Sequence, residues 1–140
     1  MQELTNVKVS DIEFTKNSIT IRAKNTKNNE QRNSRISPKL SLQLKEFVGK
    51  RKLSQNDFLF STRQSPQMSD KRVFQLIRGY AAKVGITGVS PQIIRNSHIA
   101  HGLAEGKLPA EIEAQTGVKH LGIHHFGLAK AKMQMNEKND

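Results

Sequence analysis

The hydrophobic periodicity of the chain changes once, near residue 37, and this change indicates the fold class. Before that point, Ile12, Phe14, Ile19 and Ile21 alternate with polar residues, which is typical of half-buried strands. After it, apolar residues recur at three- and four-residue intervals, as they do on one face of a helix. The sequence therefore predicts a mainly helical α+β fold with a small antiparallel sheet near the N-terminus.

Capping residues and prolines indicate where the helices begin. Pro38 and Pro91 each suit a first helical turn, and Ser69 followed by Asp70 resembles a helix start. Short helices are predicted over 3–9 and 108–115, a last helical segment over 121–133, a returning strand over 34–37, and a buried extended segment over 57–60. The residues predicted to face the core from the helices are Leu40, Leu42, Leu44, Phe47, Val48, Val73, Phe74, Ile77, Tyr80, Ile94, and Ala100 or His101.

Length and charge limit the classes of function. A chain of 140 residues can bury one core, so we predict one domain over 1–135 and a polar tail over 136–140. Lys and Arg number 23 against 12 acidic residues, and the net charge of +11 indicates a surface that binds a polyanion, with nucleic acid as the first candidate. No apolar run approaches the roughly 18 residues of a spanning helix, so no membrane partner is expected.

Cysteine and histidine content narrows the chemistry. The chain has no Cys, which excludes disulfides and thiol chemistry. His120, His124 and His125 lie close together in the sequence, but no nearby Cys or carboxylate completes a metal site, so neither a metal nor a cofactor is predicted. His98 and His101 are predicted to be neutral and packed or hydrogen-bonded. No signal-peptide pattern is present, and we expect a cytoplasmic, intracellular protein, associated with the nucleoid when bound to DNA.

Three segments carry a family resemblance that covers most of the chain. The segment 90–103 is similar to the arginine box of the tyrosine recombinases, or phage integrases, with Arg95, Ser97 and His101 at matching positions and Gln92 in place of the catalytic His. The segment 3–12 resembles the Glu-Leu-x-x-Leu-x-x-x-Asp-Ile pattern of that family. The segment 19–27 is similar to the hairpin that carries its catalytic Lys, which matches Lys24. The resemblance implies the fold of the C-terminal catalytic domain and a double-stranded DNA partner.

The resemblance also implies roles for individual residues. Arg95 would hold two phosphate oxygens, and Lys24 would protonate the leaving sugar oxygen. Gln92 cannot transfer a proton, although it can hydrogen-bond a phosphate oxygen or a base edge. The first catalytic Arg of the family lies three residues before the position of Glu3, so we expect the chain to be a fragment or to start inside the domain. DNA contacts are expected at Lys24, Lys27, Arg32, Arg35, Gln92 and Arg95.

The residues themselves leave simpler interpretations open. Lys24 and Lys27 could be solvated charges of a hairpin, and Arg95 a surface arginine paired with an acidic neighbour. The family's Leu-Gly-His motif has its counterpart at Thr116-Gly117-Val118, and the nucleophilic Tyr would fall at Gly127 or, with one deletion, at Phe126. Tyr80 is the single tyrosine of the chain and a poor candidate nucleophile.

Three positions that are catalytic in the family are substituted here, by Gln92, Val118 and Phe126. We therefore expect that the domain has lost recombinase catalysis. The favoured function is a DNA-binding domain of a degenerate recombinase-like protein, inactive as an enzyme, that serves as a regulator or a recombination accessory of a phage or mobile element. One alternative is an active recombinase domain with displaced catalytic residues or residues supplied by another subunit. A weaker alternative is a basic module that binds RNA or protein. The segment 127–140 is a candidate for homo-oligomer assembly.

Overall fold

Residues 2–119 and Leu121 are described by a computed structural model of the chain. In chain order the elements are α1 (Gln2–Thr5), β1 (Ile12–Glu13), β2 (Ser18–Ile21), β3 (Arg32–Arg35), α2 (Pro38–Arg51), α3 (Asp70–Lys83), α4 (Pro91–Ala104) and α5 (Pro109–Thr116). The predicted class, mainly helical with a small N-terminal antiparallel sheet, is confirmed. Outside the described residues lie the predicted helical segment 121–133 except for Leu121, the candidate assembly segment 127–140 with the polar tail 136–140, and the positions His120, His124, His125, Phe126 and Gly127.

The three strands form one antiparallel sheet in the order β1-β2-β3. Ile12 pairs with Ile19, and Ile21 pairs with Arg32. The third strand was predicted over 34–37 and lies two residues earlier. The reason is that Ser37 caps α2, with its hydroxyl accepting a hydrogen bond from the Leu40 N–H at 3.1 Å. The chain therefore leaves the sheet before residue 37.

The first core cluster lies between the sheet, α2 and the segment 57–60, and it is centred on Val7, Ile12 and Leu59. The prediction of a buried extended segment over 57–60 is only partly right: Leu59 is 1% exposed and donates its N–H to the Val7 carbonyl at 2.8 Å, but Asp57 is exposed and the extended pairing is limited to one bridge between Phe58 and Lys8. The apolar face predicted for α2 is only partly right. Side chains that pack on this cluster come from Leu44, Phe47 and Val48, whereas Leu40 and Leu42 are exposed. Leu42 lies two residues from Leu44, which places it well round the helix from the buried face.

The second core cluster joins α4 to α5 through Ile99, Ile112 and Leu121, with Leu103 and Val118 packed against it. The prediction that Ile94 faces inward is wrong, because α4 turns the side of Ile99 and Gly102 toward α5 and leaves Ile94 exposed. A Cβ at Gly102 would lie 3.1 Å from Cδ1 of Ile112. Glycine thus allows the two helices to approach closely.

Three aromatic or histidine side chains predicted to be packed are exposed. His98 and His101 lie on the outer side of α4 and make no side-chain hydrogen bond within the described part of the chain, while Ala100 is half-buried. Tyr80 is 65% exposed, because the last turn of α3 extends beyond the core and its neighbours Arg78 and Gly79 are exposed as well. No helix among the described residues has the length and apolar character needed to cross a membrane.

Candidate nucleic-acid interface

A cleft of about 1210 Å³ lies between α1, the β2–β3 hairpin, the start of α4 and the end of α5. Most of the site residues predicted from the sequence meet here, although they come from segments far apart in the chain. Lys24 and Arg35 are exposed and lie outside the lining. The predicted residues that line the cleft are Glu3, Lys27, Arg32, Gln92, Arg95 and Val118.

The first turn of α4 places Gln92 and Arg95 on the cleft. Ser90 caps this helix, its hydroxyl accepting a hydrogen bond from the Ile93 N–H at 3.2 Å, and Pro91 occupies the first helical position. Gln92 and Arg95 are three residues apart, so they share one side of the helix. The Gln92 Nε2 donates to Oδ1 of Asn96 at 2.9 Å, and the Arg95 side chain is 41% exposed.

The carboxylate of Glu3 lies between two guanidinium groups. Arg32 donates Nη1 to Oε1 at 2.9 Å and Nη2 to Oε2 at 2.7 Å, which is the bidentate geometry of a strong Arg–carboxylate pair. Arg95 makes one longer contact, from Nη2 to Oε2 at 3.5 Å. Arg95 therefore has an acidic neighbour, as the simpler interpretation anticipated, but that neighbour is held mainly by Arg32.

Arg32 links three elements, which the sequence did not indicate. Its Nε donates to the Gln115 carbonyl at 3.1 Å, and the Ser34 hydroxyl donates to the same carbonyl at 2.9 Å. The side chain is 15% exposed, so Arg32 is half-buried in the wall of the cleft. The alternation in β3 is the signal that was missed, since Arg32 and Ser34 share one face and Arg35 lies on the other.

Two opposing effects act on the pKa of Glu3. Burial raises it, whereas the hydrogen bond and charge of Arg32 and the charge of Arg95 lower it, and the resulting pKa lies below the usual 4.5. Glu3 is therefore ionised near neutral pH. Its negative charge offsets part of the positive charge in the cleft.

The end of α5 forms the wall opposite α4. Gly117 adopts the left-handed conformation, with φ of 70°, and ends the helix. A Cβ at this position would lie 2.7 Å from Nη1 of Arg32, so glycine makes room for the guanidinium. Val118 follows, and it packs on the second core cluster, a position suited to an apolar side chain.

The β2–β3 hairpin brings Lys27 to the rim. Thr26 stabilises the loop, because its hydroxyl accepts from the Glu30 N–H at 3.0 Å and donates to the Ala23 carbonyl at 2.9 Å. Lys119 joins the hairpin to the end of α5 through Glu30, at 2.7 Å. Lys24 and Lys27 are exposed and form no ion pair within residues 2–119.

The charges along the lining balance one another. Four basic side chains face four acidic ones, so the cleft is not uniformly positive despite the basic composition of the chain. Lys27 forms no ion pair among the described residues and Arg95 makes only the long contact, so these two cations are the best placed to receive an anion. The charged lining residues are Lys27, Arg32, Arg95, Lys119, Glu3, Glu30, Asp70 and Glu113.

Comparisons with known proteins show the fold and the family of the chain. The crystal structure of XerA recombinase superposes with a TM-score of 0.78 over 96% of this chain at 21% sequence identity, a likeness that concerns the fold. The match covers 52% of that protein, so this chain spans about half its length. No curated protein matches the chain. The model of the phage integrase family matches residues 1–123, and the chain therefore belongs to that family.

Proposed function

We propose that this domain binds duplex DNA along the cleft without cleaving it, and serves as a regulator or a recombination accessory of a phage or mobile element. The observation that carries the proposal is the joint placement of Gln92, Arg95 and Lys27 on one cleft in a domain of the phage integrase family. The net charge of +11 supports a polyanionic partner.

Each cleft residue has a role that follows from its chemistry. The guanidinium of Arg95 can bind two phosphate oxygens and stays charged at any working pH. The carbonyl oxygen and second N–H of the Gln92 amide can bind polar groups of the duplex. Lys27 would contact a phosphate at the cleft, and the exposed Lys24 and Arg35, which lie outside the lining, would contact phosphates beyond it. Arg32 is left out of this set, because Glu3 and the Gln115 carbonyl bind three of its five N–H groups and its side chain is only 15% exposed.

The proposal of an inactive domain rests on missing proton-transfer groups. Cleavage of a phosphodiester needs a nucleophile and acid–base groups within hydrogen-bond reach. Neither Gln92 nor Val118 can act as a nucleophile or transfer a proton. Tyr80 lies on the last turn of α3, outside the cleft lining. A binding role needs only the positive groups that the cleft retains.

A titration with duplex DNA at several salt concentrations tests the binding role. Wild type should bind with an affinity that falls steeply as salt rises, and Arg95→Ala should weaken binding roughly tenfold and lower the salt slope by about one. The matched control is Lys45→Ala, which removes a charge from the exposed side of α2 outside the cleft. Equal losses for the two variants, or equally strong competition by RNA, would refute duplex binding through the cleft.

A nicked duplex tests the absence of chemistry. After incubation with the domain, a denaturing gel should show no covalent protein–DNA adduct. An adduct that survives denaturation would instead establish an active recombinase, with its nucleophile displaced or supplied by another subunit.

A further inference from the structure

We infer that Arg32 is a positioning residue for Arg95: by binding Glu3 it prevents that carboxylate from capturing the Arg95 guanidinium, which stays free to bind a phosphate. The inference rests on the proposed function and adds a residue that neither the arginine box nor the hairpin pattern includes. It gives Arg32 an indirect effect on DNA, in place of the direct contact expected from the sequence.

Arg32 and Arg95 both contact the carboxylate of Glu3, but Arg32 binds it much more closely. Both oxygens of Glu3 bind Arg32, at 2.9 and 2.7 Å, while Arg95 approaches Oε2 alone, at 3.5 Å. The side chains of Arg32 and Glu3 are 15% and 24% exposed, so the pair is partly shielded from water. Most of the charge of Glu3 is thus neutralised within the wall of the cleft.

Glu3 would compete with DNA if Arg32 were absent. A carboxylate and a phosphate both bind a guanidinium through the same pair of parallel N–H groups. With Arg32 removed, Arg95 becomes the nearest cation to Glu3, and the two would form the bidentate pair that Arg32 now occupies. A phosphate would then have to displace Glu3 from Arg95 before it could bind.

The surroundings of Arg32 keep it on Glu3. Its Nε is bound to the Gln115 carbonyl, and the glycine at 117 leaves space for its Nη1. A lysine has one compact ammonium in place of this planar fork, so it could not bind both oxygens of Glu3 and the carbonyl together. The contact therefore depends on the guanidinium shape as well as on its charge.

A double-mutant cycle on duplex DNA affinity, at one low salt concentration, tests the inference. Arg32→Ala should weaken binding roughly tenfold in the wild-type background and less than about twofold in the Arg95→Ala background, because its effect passes through Arg95. An equal loss in both backgrounds would mean that Arg32 touches DNA or contributes charge alone, which overturns the inference and leaves the proposed function standing. Absence of salt-sensitive binding by wild type would overturn both.

A second pair of variants covers the case in which Arg32→Ala does not fold, as judged by circular dichroism. Arg32→Lys keeps the charge but should still weaken binding about fivefold, and Glu3→Gln added to it should restore affinity to within about twofold of wild type, because the competing carboxylate is gone. Wild-type affinity for Arg32→Lys alone would show that charge suffices, and would overturn the inference. Lys45→Ala again serves as the control for a lost surface charge.

Discussion

Single residues in the cleft act through partners far away in the sequence. Arg32 meets Glu3 at a separation of 29 residues and Gln115 at a separation of 83. The placement of Arg95 at the site could be predicted, because the residues that resemble the arginine box are close together in the sequence and lie on the single helix α4. The role of Arg32 could not, because the alternation in β3 separates the face of Arg32 from that of Arg35 but does not show which face packs against α1 and α5.

The stability of the domain should depend on pH through Glu3. Its pKa in the folded state is below the usual 4.5, so its stabilising contribution is complete above about pH 4.5 and is lost as pH falls through the folded-state pKa. Urea unfolding of wild type and Glu3→Gln should therefore give a difference in unfolding free energy of about 1–2 kcal/mol that is constant from about pH 5.5 to 8 and shrinks in more acidic solution. A difference that stays unchanged down to about pH 3 would contradict the ion pair.

At the scale of elements, helix starts could be predicted and helix faces could not. Ser69 and Ser90 cap α3 and α4 as their sequences indicate, because a cap involves only a few neighbouring residues. The buried side of a helix depends on which element packs against it. The face of α4 is set by α5, through Ile99 and Gly102, and the periodicity of α4 alone had favoured Ile94.

Gly117, at the end of α5, can be used to test how tightly the Arg32 side chain is packed. Gly117→Ala should destabilise the domain by about 2–3 kcal/mol, since it combines a positive φ of 70° with a Cβ placed 2.7 Å from Nη1 of Arg32. The matched control is Gly106→Ala, where φ is 83° and no atom lies within 4 Å of the added Cβ, so about 1 kcal/mol is expected.

Thermal or urea unfolding of both variants would measure the difference. The excess cost of Gly117→Ala over Gly106→Ala should vanish in an Arg32→Ala background, because the guanidinium that the Cβ meets is gone. Equal costs for the two variants in the wild-type background would show that Arg32 is free to move away.

For the whole molecule, the composition predicted a polyanion-binding protein but not the charge balance of its cleft. The described residues form two core clusters, one beneath the sheet and one between α4 and α5, and the contacts of Arg32 join β3 to α1 and α5. The lining of the cleft carries as many acidic as basic residues. The proposed binding of DNA there would therefore depend on where each cation points, which a count of 23 basic residues cannot reveal.

The most direct measurement of DNA binding along the cleft is an NMR titration of the 15.8 kDa chain with a short duplex, following backbone and arginine side-chain signals. If duplex DNA binds along the cleft, the largest shifts should occur at Lys27, Gln92 and Arg95, the Arg95 side-chain signal should move more than that of Arg32, and α2 around Lys45 should stay unchanged. Shifts centred on α2, or a response of Arg32 larger than that of Arg95, would contradict binding along the cleft.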